Sequence, residues 1–146
     1  MRASVWRIAR DDRGNAVVEA AILLPLFIAF LAALLIGDRI RHASAAVTQA
    51  AADAARQASI ARTPHQARTD ATASARTTLR QAGLHCAPQV AVDVSGFSRP
   101  VGQSATITAR VTCTERLSEI ALPGMPGSRT VTKLHRSVLD PYRGRG

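Results

Sequence analysis

Few residues of this chain could do chemistry, and their spacing narrows the kinds. Cys86 and Cys113 are the only cysteines. An even, well-separated pair without a C-x-x-C spacing favours a disulfide over a metal site. Closing that loop would contribute about 3.5 kcal/mol in the chain-entropy treatment. His42, His65, His85 and His135 are scattered. His85 adjoins Cys86, but a Cys-His pair adjacent in sequence is poor ground for a nucleophile and its base. The ten acids are dispersed, and none pairs in a way that suits general acid and base work. No phosphate-cradling glycine loop or nucleophile elbow occurs. The chain reads as a non-enzyme, with no catalytic residue, no cofactor and no metal.

One acid stands apart. Glu19 is the sole charge in residues 16–36, AVVEAAILLPLFIAFLAALLI. As a helix these residues would span about 31 Å at about 1.5 Å per residue, which matches a hydrocarbon core about 30 Å thick. An acid inside such a span costs about 2.5–3.5 kcal/mol at the centre and less near the edge, so it is a functional candidate by default. The bland alternative is a shallow carboxylate that reaches the headgroups. Gly14 lies five residues before Glu19, behind a leader with Arg2, Arg7, Arg10 and Arg13. A cut after Gly14 would leave Asn15 with a new positive amine, about one helical turn from Glu19. That acid could then pair with the amine of a neighbouring subunit and set the register of packed helices. Pro25 falls mid-span, where it removes the hydrogen bond to the carbonyl of Ala21 and should kink or loosen the helix.

The elements that must position these residues follow from pattern. After a basic leader (1–14) comes a transmembrane helix (15–37), then a stalk helix (38–62) with Ala43, Val47, Ala50, Ala54 and Ala58 on one face. Such a stripe lets another helix approach closely, in the same chain or a second one. Ala is also simply the best helix former. Thr63, Pro64 and Gln66 carry a capping-box signature. The helix they start should run to about Ala82 and stop at a left-handed Gly83, with Ala67, Ala71, Ala75, Thr78 and Leu79 on its apolar side. Beyond Cys86 the period drops to two. Val90, Val92 and Val94 mark one strand, and Ala105, Ile107, Ala109, Val111 and Cys113 a second. Residues 130–139 could form a third. Residues 96–102 and 123–128 read as loops, and 141–146 as a flexible tail. The fold class is α+β: a long N-terminal transmembrane and stalk helix, a second helix, then a small antiparallel sheet of two to three strands, with residues 63–140 as an exported domain.

Composition bounds the rest. The chain has 146 residues, 47% apolar and only 3% aromatic, room for one small domain beside a membrane helix. A core built largely of Ala is thin and benefits from a staple. Net charge is +9, almost all of it Arg, since Lys133 is the one lysine. A solvated basic surface is the plain reading; an acidic polymer or anionic lipid is the alternative. The apolar run is too long for a cleaved secretory signal. Basic residues flank the span almost equally, so charge barely sets orientation. The cysteines favour a cytoplasmic N-terminus and an extracytoplasmic C-terminal domain.

Arg13-Gly14, Val17-Val18-Glu19-Ala20 and Leu23-Leu24-Pro25, behind a short basic leader, resemble type IV prepilins and, more closely, the TadE-like pseudopilins of tight-adherence (Flp-type) pilus systems. The resemblance is specific over residues 13–41. It departs from common family practice in Ala20, where an aromatic often stands, and in Asn15 as the first mature residue. It implies cleavage after Gly14 by a prepilin-type peptidase and a role in assembling or priming a pilus. The implied function is a minor pseudopilin or membrane-anchored assembly component, single-pass in the cell membrane, that either enters the surface fibre or only assists its assembly. Its implied partners are pilin or pseudopilin subunits, pilus-assembly membrane proteins and the lipid bilayer. The alternative is an exported, membrane-anchored binding module with an Arg-rich surface for DNA or anionic polymer; nucleic acid is the less favoured partner.

Overall fold

The computed structural model describes residues 12–120, 124 and 126–142, with side chains placed from residue 18 onward except at 119 and 120. The leader arginines Arg2, Arg7 and Arg10, part of the expected loop 123–128 and the tail 143–146 lie outside the described residues. The chain divides into two compact units, Met1–Leu35 and Ile36–Gly146.

Helix α1 (Asp12–Ile60) runs without a break, with Pro25 inside it. Within the first unit its apolar side chains are exposed, Ile22, Leu26 and Leu35 by about two thirds. In the second unit the same helix changes character. Ala43, Val47, Ala50, Ala54 and Ala58, together with Ala46, Ala51 and Ala55, are buried, as is Ala61 just past the helix end. The small-residue stripe expected from spacing is therefore a core face.

Its partner is in the same chain. Helix α2 (Pro64–Gln81) buries Ala67, Ala71, Ala75 and Leu79, and these join the α1 alanines in one cluster. The cap forms as its residues dictate: the Thr63 hydroxyl accepts from the N–H of Gln66 at 3.2 Å. The Gln66 side chain reaches one residue further back than the reciprocal box requires, accepting from the N–H of Arg62 at 3.3 Å. At the other end Gly83 has φ +75°. The N–H of Leu84 donates to the Leu79 carbonyl at 2.9 Å and that of Gly83 to the Arg80 carbonyl at 3.0 Å, which is the Schellman pattern. Leu79 and Leu84, the apolar pair that accompanies it, are both buried.

Three strands follow, β1 (Gln89–Asp93), β2 (Ala105–Arg116) and β3 (Ser128–Leu139), in the antiparallel order β1-β2-β3. Register pairs Val90 with Val111 and Val92 with Ala109, and Ala105 with Leu139 and Cys113 with Val131. Directly opposed residues share a face, so these side chains line the inner face and complete the core. The third strand thus exists and is as long as the second.

Two local features were not expected. The loop at 96–102 opens on a 3-10 turn, Ser95–Ser98. A Cβ on Gly96 would sit 2.9 Å from the Thr106 carbonyl, so only glycine lets the turn close on β2. A four-residue helix, α3 (Leu117–Ile120), follows β2 directly.

Candidate functional site

The apolar part of α1 is the first candidate. From Val18 to Leu35 it exposes Ile22, Leu23, Leu24, Leu26, Phe27, Ile28 and Phe30. The most apolar stretch has a mean hydropathy of 2.7 and none of it is buried. A soluble core helix would show the opposite, because exposing this many large apolar side chains to water is strongly unfavourable. One N-terminal apolar helix of this kind fits a single-pass membrane protein. Ala20, Leu23, Leu24, Leu26, Phe27 and Phe30 line a shallow apolar groove on it.

Glu19 lies on this helix one turn before Leu23, and it is exposed. Gly14 and Asn15 also fall within α1. Pro25 lies between them and the domain, in a helix that continues through it.

The second candidate is the cysteine pair. Cys86 follows the left-handed turn after α2, and Cys113 lies on β2; they are disulfide-bonded, with Cα atoms 5.7 Å apart. Glu115 was not anticipated at this place. It is buried, its carboxylate accepts from the N–H of Cys86 at 2.6 Å, and it lies 3.8 Å from Cys113 Sγ. The alternation that puts Ile107, Val111 and Cys113 inside also puts Glu115 inside, so the signal was present in the spacing. Ligand atoms of Cys86, Cys113 and Glu115 lie within 4.8 Å of one another. The thiolate is the metal-binding form of cysteine, and both sulfurs are committed to the disulfide.

The histidines stay apart in role as in sequence. His42 donates from Nε2 to the carbonyl of Ala82 at 3.2 Å, tying α1 to the end of α2. His65, His85 and His135 are exposed on α2, on the segment after it and on β3. Two further polar links join separate elements. The Thr78 hydroxyl donates to Asp53 at 2.8 Å across the helix pair. Ser59, buried, accepts from the Ser137 hydroxyl at 3.1 Å and offers its carbonyl to the N–H of Asp140 at 3.3 Å.

Residues 14–56 match the family model described as TadE-like protein. The match begins at Gly14, covers the apolar helix and most of the buried alanine face of α1, and agrees with the resemblance read from the residues. No curated protein and no solved structure matches the chain.

Proposed function

We propose that this chain is a minor pseudopilin, or a membrane-anchored assembly component, of a tight-adherence (Flp-type) pilus. The observation that carries the reading is an exposed carboxylate, Glu19, on an otherwise apolar and exposed helix, within a TadE-like match that begins at Gly14. A helix of this composition is stable in lipid, where its backbone groups are satisfied internally. A carboxylate there is favoured by a cationic mate.

In this reading a prepilin-type peptidase cuts after Gly14 and frees the amine of Asn15. Glu19 of one subunit pairs with that amine on its neighbour. The pairing fixes the axial register while the apolar side chains between Ile22 and Phe30 make the lateral contacts. The N-terminus starts in the cytoplasm and the domain faces outward, where the Cys86–Cys113 bond is chemically stable. Pilin subunits and the membrane proteins of the assembly machinery are the partners.

The test is made in cells that carry the full pilus system. Mass spectrometry of the isolated protein should find Asn15 as the first residue, and Glu19→Ala should abolish co-isolation with pilus subunits while leaving membrane insertion intact. An intact Met1 would remove the processing step, and undiminished co-isolation of Glu19→Ala would remove the register role.

A further inference from the structure

The outer face of the sheet sets rows of threonines beside three arginines. Register places Thr112 opposite Thr132 and Thr114 opposite Thr130. Their hydroxyls meet at 3.0 and 2.9 Å. Arg110 stands opposite Leu134, and Arg136 opposite Thr108. The two arginines are therefore diagonal neighbours on one face, about 7–8 Å apart along the sheet. Arg116 lies on the same face of β2, about 20 Å along the strand from Arg110 at about 3.4 Å per residue. All three arginines are exposed.

Only one acid shares this face among the described residues. Asp93, at the end of β1 opposite Thr108, accepts from the N–H of Ser95 at 3.0 Å. No aromatic side chain lies on the face among the described residues. Short hydroxyl side chains make it rich in donors and acceptors, and Leu134 and Val138 are the large apolar side chains exposed among them.

From this we propose that the outer face of the β1-β2-β3 sheet is a docking surface for an acidic polysaccharide, a polymer that repeats carboxylates among hydroxyls. Charge complementarity selects an anion, because two adjacent like-charged guanidiniums are relieved by a carboxylate between them, and each guanidinium can hold a carboxylate in a two-point fork. The threonine rows match sugar hydroxyls in kind. The same features disfavour nucleic acid. Single strands are held by stacking on aromatic side chains, and duplex DNA is read by an element that enters a groove, whereas this is a sheet face without rings among the described residues. The surface is independent of whether α1 enters a fibre.

The experiment uses the full chain in uncharged detergent micelles, with polygalacturonate as the probe, neutral dextran as the uncharged control and duplex DNA as the rival polyanion, all at matched salt. Polygalacturonate should bind and dextran should not. Arg110→Gln with Arg136→Gln should weaken binding about tenfold, since two exposed charged contacts are lost. Arg68→Gln with Arg76→Gln, which removes the same charge from exposed positions on α2, should change it less than about threefold. Thr114→Val with Thr130→Val should weaken polygalacturonate but leave residual DNA binding unchanged. Equal losses from the two arginine pairs, tighter binding of DNA than of polygalacturonate, or no binding of polygalacturonate would each overturn the proposal.

Discussion

The buried carboxylate of Glu115 holds the backbone N–H of Cys86 at 2.6 Å, beside the sulfur of Cys113. The strand thus grips the incoming segment through a polar contact at the point where the disulfide staples it. The disulfide and the buried Leu84 fix the same segment from either side of that contact. Glu115→Ala should leave the Cys86 N–H without its acceptor and cost about 1–3 kcal/mol, the usual penalty for an orphaned buried group. Glu115→Gln keeps an acceptor oxygen and should cost less. Denaturant midpoints of the oxidised full chain in micelles would rank the three proteins. Refolding from the reduced state should also oxidise more slowly in Glu115→Ala, followed by thiol labelling over time.

The α1–α2 contact rests on the smallness of its residues. Ala50, Ala54, Ala58, Ala67, Ala71 and Ala75 are all fully buried in one cluster, so a larger side chain there must displace its neighbours. Ala54→Leu should overpack the seam and lower stability by about 1–3 kcal/mol. Ala45, exposed on the same helix, provides the control: Ala45→Leu should change stability by less than about 0.5 kcal/mol. Thermal melts of the two variants against the parent would separate packing from a general effect of leucine.

Elements with a strong period were legible in the sequence. Thr63 and Gly83 mark the ends of α2 because capping chemistry is local. The inward set from Ala105 to Cys113 marks β2 because alternation is strict there. The side chain that covers a face was harder to read. The alanines of α1 could have met a helix of this chain or of another, and spacing alone does not choose between them. Asp53 and Ser59 escaped because their partners, Thr78 and Ser137, come from other elements; the burial of Glu115 is written in the alternation of β2, but its partner Cys86 is not. The acid at Glu19 was legible for the opposite reason: within a long apolar run a single charge is conspicuous without any partner in view.

Asp93 gives the domain a pH dependence of known sign. Hydrogen bonds from Ser95, first from its backbone N–H and then from its side chain, hold the Asp93 carboxyl below its ordinary value of 3.8. The bound, ionised form is favoured in the folded state. Its contribution is therefore present in full above the unfolded value and is lost as pH falls through the lowered one. Asp93→Asn should flatten the stability profile below about pH 4 and leave the shape near neutrality unchanged. Denaturant midpoints between mildly acidic and strongly acidic buffers would check it, and an unchanged acid limb would refute the assignment.

Gly83 connects the end of α2 to the disulfide. Its φ of +75° turns the chain out of the helix, Leu84 drops into the core beside Leu79, and two residues later Cys86 meets Cys113. A Cβ at Gly83 would meet nothing within 4 Å. The cost of a substitution is therefore conformational, not steric crowding by neighbours. Gly83→Ala should lose about 1–2 kcal/mol, the penalty for a left-handed L-residue. Gly83→Asn should lose less, because asparagine visits that region more readily. Gly83→Val, β-branched, should lose most. If the turn also presents Cys86 to its partner, the order of stability should be reproduced in the redox equilibrium: the thiol–disulfide ratio measured against a glutathione buffer should shift toward the reduced form from Gly83 through Asn and Ala to Val. Equal disulfide stability across the series would show that the strand and Glu115 alone place Cys86.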